Sequence, residues 1–223
     1  MKAKISEIFY SIQGEGLYVG RPMVFVRFWG CNISCKFCDT HFKDFKMLSV
    51  ENVTKRIDRY KKFTRYISLT GGEPLLWIDF LQVFLPILKR KRFIIYLETN
   101  GLLFENIEKV LRYLDIISMD IKLPSSTQLR PFWKEHSEFA KKVCSEKLSI
   151  FFKTVICKDT VFSDIKKLCS FVKKFRTPLV LQPDSLNISD YLVKKTLSFL
   201  NFLKENRIDA YFIPQIHKFL NMK

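Results

Sequence analysis

Apolar, β-branched runs alternate with amphipathic stretches along almost the whole chain, and this alternation constrains the fold more than any other feature. The runs at 22–29, 66–70, 93–99, 116–121, 148–156, 179–182 and 210–213 are rich in Val, Ile, Phe and Tyr and read as strands. Between them, 50–63, 78–90, 104–113, 131–144, 163–175 and 190–206 carry helical periodicity. Strands and helices in this order build βαβ units, and therefore a parallel sheet with right-handed connections. A closed eightfold barrel takes about 250 residues. The chain has 223, so the expectation is an α/β fold: a partial, open β/α barrel of about six parallel strands, in one domain over 1–223.

In such folds functional side chains gather where strands end at their C-termini. The conspicuous motifs of this chain all stand there. Cys31-Asn32-Ile33-Ser34-Cys35-Lys36-Phe37-Cys38-Asp39-Thr40 follows the first of these strands, and Gly71-Gly72-Glu73-Pro74 follows the second. Glu98-Thr99-Asn100-Gly101, Asp120-Ile121-Lys122 and Gln182-Pro183-Asp184 close three later ones. Upstream, within 5–21, Ser11-Ile12-Gln13-Gly14-Glu15-Gly16 suggests a tight, ligand-facing loop. Arg27 is a lone charge in an apolar strand, and a buried guanidinium needs an internal carboxylate or an anionic ligand.

Of the six cysteines, Cys31, Cys35 and Cys38 cluster, whereas Cys144, Cys157 and Cys169 sit apart in apolar stretches and read as small buried hydrophobes. Three neighbouring thiolates suit an iron–sulfur cluster with one open position. A structural zinc site is the alternative; it would need a fourth ligand, for which His41 is the nearby candidate. His136 falls within 131–144 and is expected to be exposed.

Lys and Arg number 38 against 22 Asp and Glu, a net charge of +16. The basic residues are scattered over the helical stretches, as on a solvated surface. A nucleic-acid-binding protein would cluster them among exposed aromatics, a pattern the sequence lacks. No apolar run reaches about 18 residues, so no membrane span is expected. The N-terminus lacks the apolar core of a signal peptide, and the expected location is the cytoplasm.

The Cys31–Cys35–Cys38 spacing, with Gly71-Gly72-Glu73-Pro74 on the next strand, resembles the radical SAM superfamily. The Ser11–Gly16 stretch, Arg27-Phe28-Trp29-Gly30-Cys31-Asn32, Cys38-Asp39-Thr40, Lys122-Leu123-Pro124-Ser125-Ser126 and Pro214-Gln215-Ile216-His217-Lys218 together resemble the 7-carboxy-7-deazaguanine synthases. That resemblance implies a lyase that converts 6-carboxy-5,6,7,8-tetrahydropterin to 7-carboxy-7-deazaguanine with loss of ammonia, on the path to queuosine. A 5′-deoxyadenosyl radical derived from S-adenosylmethionine (SAM) would abstract hydrogen from substrate C6, with Mg²⁺ assisting ring contraction. It implies a 4Fe–4S cluster on Cys31, Cys35 and Cys38, and Mg²⁺ on Thr40. Ile12, Gln13, Gly14, Glu15, Arg27 and Thr70 would bind substrate. Phe37, Cys38, Asp39, Gly72, Asp120, Ile121, Lys122, Gln182, Pro183, Asp184 and Ser185 would line the SAM site. Members often carry Ser-Pro-Lys where this chain has Asp120-Ile121-Lys122; an aspartate there would accept from ribose hydroxyls. An electron donor such as flavodoxin and a homodimer are further implications. The runner-up resemblance is to a glycyl-radical-enzyme activase, which shares the cysteine loop but acts on a protein glycine loop.

Overall fold

A computed structural model of the protein describes residues 1–40 and 44–222. His41, and with it the zinc alternative, lies outside the described residues, as does Lys223. The strands are β1 (Lys2–Ile12), β2 (Pro22–Phe28), β3 (Lys46–Ser49), β4 (Tyr66–Gly71), β5 (Ile94–Thr99), β6 (Ile116–Asp120), β7 (Ser149–Ile156), β8 (Leu179–Pro183) and β9 (Ala210–Phe212). The helices are α1 (Val50–Asp58), α2 (Ile78–Arg90), α3 (Phe104–Ile107), α4 (Pro124–Thr127), α5 (Trp133–Val143), α6 (Phe162–Phe175), α7 (Asp190–Glu205) and α8 (Ile216–Phe219). No described helix is long and apolar enough to cross a membrane.

One sheet takes the order β3-β1-β2-β4-β5-β6-β7-β8-β9. From β2 onward neighbouring strands are parallel, as expected. The first and third strands add an antiparallel extension on the β2 side, which the sequence reading did not anticipate. Lys2–Ile12 buries Ala3 and Ile5 but leaves its other residues largely half-buried or exposed. Such a strand alternates apolar with polar residues and lacks the continuous apolar run of a parallel strand. The expected helix over 104–113 is shorter, ending at Ile107 and followed by a 3₁₀ turn at Leu111–Tyr113.

Side chains alternate across each strand with period two. Val24, Val26 and Phe28, with Ile67 and Leu69, Ile95 and Leu97, and Ile117, Met119 and Ile121, join the core shared with the helices. α2 supplies Phe80, Leu81, Phe84, Leu85 and Leu88 to it, each worth about 2–3 kcal/mol of burial. The other parity faces the inside of the curved sheet. Its lower layer is apolar: Met23, Phe25, Tyr96, Ile116, Phe151 and Val180. Toward the C-terminal strand ends the same parity turns polar, with Arg27, Thr70, Glu98, Ser118, Asp120, Lys153 and Gln182. Register carries these across the sheet: Arg27 pairs with Thr70, Glu98 with Ser118, and Asp120 with Lys153.

The β2 and β4 ends meet at glycine. Gly72 donates its N–H to Phe28 O at 3.1 Å, and Glu73 donates to Gly30 O at 2.9 Å. A Cβ on Gly72 would lie 1.8 Å from the Gly30 carbonyl oxygen, a backbone atom. Gly72→Ala is therefore expected to force the cysteine-loop base off the sheet and destabilise the protein by about 3 kcal/mol, read as a fall in urea midpoint. An unchanged midpoint would show that the two loops need no such close approach.

Candidate active site

The polar end of the inner face opens into a cleft of about 410 Å³. Its walls come from the β1–β2 loop, the cysteine loop after β2, the C-terminal ends of β4 to β8, and the tail after β9. Among the residues expected from the sequence, Ile12, Gln13, Gly14, Glu15, Arg27, Thr70 and Thr40 line it. So do Cys31, Cys35, Phe37, Cys38, Asp39, Gly72, Asp120, Lys122, Gln182, Asp184 and Ser185. Two do not. Ile121 belongs to the helix-side core, and its backbone pairs with Lys153 O and the Thr154 hydroxyl. Pro183 is buried and absent from the cleft wall, having the opposite strand parity to Gln182. Both placements follow from strand alternation: a motif contiguous in sequence points to two faces.

The β1–β2 loop closes through Gln13, whose N–H donates to Arg21 O at 2.8 Å while its carbonyl accepts from Gly20 N at 2.7 Å. Its side chain is braced as well: Nε2 donates to Glu98 Oε1 at 2.9 Å, and Oε1 accepts from Glu15 N at 3.1 Å. Each end of the Gln13 amide thus already holds a protein partner. Glu98 also accepts from the Ser68 hydroxyl at 3.1 Å and from the Thr70 hydroxyl at 3.0 Å. Arg27 stacks its guanidinium 5.7 Å from the Phe9 ring centroid. Among the described residues no carboxylate forms an ion pair with Arg27. A half-buried cation of this kind suits an anionic ligand.

Across the cleft, Lys122 pairs with Asp120 at 2.9 Å and lies 5.2 Å from the centroid of Phe37. Asp120 Oδ1 and Gln182 Oε1 are buried without a hydrogen-bond partner among the described residues. Buried acceptors without partners are costly, and these two stand in the wall where SAM was expected. Asp184 is engaged otherwise, accepting from Leu186 N at 3.0 Å and Asn187 Nδ2 at 2.7 Å to cap the turn after β8.

The cysteine loop carries three free thiols facing the cleft. Burial pushes the Cys35 thiol up to about 11, so a bound cation is what would make it a thiolate at neutral pH. Asn100 donates from Nδ2 to Asn32 Oδ1 at 2.7 Å and to Cys31 Sγ at 3.8 Å. Among the described residues, no three His, Cys, Asp or Glu side chains converge as a metal cage. The donor set nevertheless suits an iron–sulfur cluster: soft sulfur ligands, the x3–x2 spacing and a common cleft wall. Of the other cysteines, Cys157 and Cys169 are buried as expected, whereas Cys144 is only half-buried.

Several contributors were given no site role from the sequence, although Gln215, Ile216 and Lys218 stand in the tail motif. Lys153 is 8% exposed on the inner face of β7, and its signal was the same as that of Arg27, a lone charge in an apolar strand. Gln215 donates to Glu15 Oε1 at 2.5 Å and to Asp39 Oδ2 at 3.2 Å, and accepts from the Ser185 hydroxyl. It thereby fastens the tail to three loops. Lys218 adds an ion pair to Asp39 at 3.0 Å, and Ile216 donates to Gly14 O at 2.9 Å. His136 is fully buried rather than exposed, with Nε2 3.1 Å from Asn100 O. Burial holds its pKa down at about 4. Its helix turns that side chain beneath the loops after β5 and β6, a tertiary placement that helical periodicity does not reveal.

A family model of the radical SAM superfamily matches residues 26–161. A 7-carboxy-7-deazaguanine synthase of Geobacter sulfurreducens is 32% identical over 248 residues, covering 98% of this chain and 97% of its own. The chain belongs to the 7-carboxy-7-deazaguanine synthase family. It is a radical SAM enzyme, and its cofactors are a 4Fe–4S cluster and SAM. The synthase of Methanocaldococcus jannaschii is 31% identical, with 98% and 99% of the two chains covered. The crystal structure of QueE from Escherichia coli superposes with a TM-score of 0.66 at 20% identity over 95% of this chain and 94% of that one. Streptococcus suis SuiB shares the fold, with a TM-score of 0.65, 15% identity and coverage of 82% of this chain and 46% of its own.

Glu73 of the glycine motif is fully buried, accepting from Leu75 N, the Thr99 hydroxyl and Asn100 N at 2.8–3.1 Å. Burial outweighs those donors and pushes its carboxyl up to about 7 from an ordinary 4.5. A raised folded-state pKa stabilises fully below pH 4.5, and that contribution is lost as pH rises through about 7. The melting temperature of Glu73→Gln minus that of the parent, both metal-free, should therefore become more positive across this window. A difference independent of pH would contradict the proposed protonation of Glu73.

Proposed function

We propose that this protein converts 6-carboxy-5,6,7,8-tetrahydropterin to 7-carboxy-7-deazaguanine with release of ammonia, as one radical SAM domain over 1–223. The observation that carries this reading is Arg27. Without an ion-pair partner among the described residues, it faces the same cleft as the three cysteines, Thr40 and the Gln13–Glu15 loop. A substrate bearing one carboxylate and a donor-rich heterocyclic edge suits those walls.

Arg27 clamps the substrate carboxylate in a charge-assisted, bidentate hydrogen bond. Glu15, an ionised acceptor in the same cleft, takes N–H donors from the pterin edge. Thr70, whose hydroxyl donates to Glu98, keeps its own oxygen free to accept. Ile12 and Gly14 shape the side of the substrate pocket. Thr40 supplies a hard hydroxyl oxygen for Mg²⁺, an ion that retains waters and takes further oxygens from substrate. When bound, the cluster and SAM supply hydrogen-atom abstraction chemistry. Cys31, Cys35 and Cys38 hold the cluster; Asp120 and Gln182 offer their unpartnered oxygens to SAM, with Phe37, Asp39, Gly72, Lys122 and Ser185 around it. The tail fastened by Gln215 forms one wall of the cleft. The reading also carries a one-electron donor such as an acidic flavodoxin, consistent with the net charge of +16, and a homodimer in the cytoplasm.

Anaerobically reconstituted enzyme should consume the carboxytetrahydropterin in the presence of SAM, Mg²⁺ and dithionite, releasing one ammonia per product formed. Absence of both product and ammonia would overturn the assignment. Arg27→Met should lower kcat/KM for this substrate by on the order of 100-fold. Thr40→Ala should lower turnover and flatten its dependence on Mg²⁺ concentration; an unchanged dependence would remove Thr40 from the metal site and leave the rest standing.

A further inference from the structure

Lys153 has no part in the reaction as described, yet it stands at the centre of the cleft wall. Its ammonium makes an ion pair with Glu15 Oε2 and lies 3.8 Å from Asp120 Oδ2. The other Glu15 oxygen accepts from Gln215 Nε2 at 2.5 Å. One donor on each oxygen stops the carboxylate from rotating about its terminal torsion. A carboxylate has about four acceptor sites, so each oxygen retains one for a ligand.

We propose that Lys153 is a positioning residue for the substrate: it holds the Glu15 carboxylate charged and oriented for the paired N–H donors of a pterin edge. This rests on the functional reading above. Burial alone would raise the Glu15 pKa; the charge of Lys153 and the hydrogen bonds from Gln215 and Lys153 outweigh it and hold the group at about 2. Among the described residues, the charged and titratable groups that face this pair come from the tail and from two neighbouring strands. His217 and Gln215 approach from the tail, Asp120 from β6 and Glu98 and Tyr96 from β5. Lys122 stands beyond Asp120, and Asp39 with Lys218 beyond Gln215. Of the cations, Lys153 is in direct contact with Glu15. Its removal leaves the half-buried Glu15 carboxylate near Asp120 and Glu98, and proton uptake by Glu15 then moves upward in pH.

The test is binding of 6-carboxypterin, a fluorescent and unreactive probe, to the folded chain between about pH 5 and 8, with 6-carboxylumazine as the analogue lacking the 2-amino donor. The parent should bind the pterin with a flat acid side and prefer it to the lumazine. Lys153→Met should weaken pterin binding by on the order of tenfold or more, narrow the preference, and bring an acid limb into the measured range. Lys153→Arg should restore most of the affinity. In a Glu15→Gln background, Lys153→Met should change affinity by less than about twofold, because the coupled partner is already gone. Lys153→Gln replaces the methionine variant if that one melts early. Parent-like affinity, preference and pH profile in a folded Lys153→Met variant would overturn the proposal, as would additive losses in the double variant. A parent that binds no carboxypterin would instead overturn the functional reading, and the proposal with it.

Discussion

A lysine buried between carboxylates is the interaction on which this cleft depends. Glu15, Lys153, Asp120 and Lys122 alternate in charge along the wall, from the β1–β2 loop to the end of β6. Each of these ions would be expensive to bury by itself. Together they neutralise one another and leave a polar wall that stays ordered without water on every side. Losing one member is worse than never having had the set, because the remaining charges keep their desolvation and lose their compensation. The chain also joins parts of the molecule that the backbone keeps apart. Glu15 belongs to a hairpin made early in the sequence, whereas Asp120 and Lys153 project from neighbouring parallel strands.

The tail depends on the same anchor. Gln215 reaches Glu15, Asp39 and Ser185 at once, so the position of Glu15 fixes where the tail can dock. Gly14 makes that docking possible. A Cβ there would come within 2.1 Å of His217 Nδ1 and 2.7 Å of its Cβ. The glycine of the hairpin is therefore a seat for the tail, and the carboxylate beside it is the latch. An arrangement of this sort lets the cleft be walled on one side by a segment that meets the barrel late in the chain.

Much of this was legible before the coordinates. The parallel strands, most of the helices and the location of the motifs at strand ends followed from periodicity and from the punctuation of Gly and Pro. What periodicity cannot do is separate alternate residues of one motif by function. Asp120-Ile121-Lys122 and Gln182-Pro183-Asp184 read as continuous binding segments, yet Ile121 and Pro183 sit on the helix side of the sheet. Lys153 carried the same signal as Arg27 and was passed over because no named motif surrounds it. His136 was misplaced for a different reason: a histidine on an amphipathic helix is polar by type, and only the packing of α5 beneath two loops makes it a buried, neutral brace. β1 escaped because a strand with one largely open face alternates, and alternation over a few residues is a weak signal beside a glycine motif.

The antiparallel extension explains why the barrel stays open on this side. β1 occupies the edge of β2 that a closing strand would need, and β3 then caps β1. The parallel order therefore ends at β2 in one direction and at β9 in the other. An open edge on a parallel sheet would ordinarily be a liability, since unpaired backbone groups invite other strands. Here the edge is filled by a hairpin whose loop lines the cleft: the turn from β1 to β2 places Gln13, Gly14 and Glu15 in the wall beside the polar layer. A closed barrel would have had to bring those residues in from a βα loop, farther from the strand row that holds Arg27, Thr70 and Glu98. The floor beneath, built from Met23, Phe25, Tyr96, Ile116, Phe151 and Val180, sets the depth to which a ligand can sink. Depth from the apolar layer, charge from the lysine chain and a wall from the tail thus meet at one carboxylate, Glu15, supplied by the segment that interrupts the barrel.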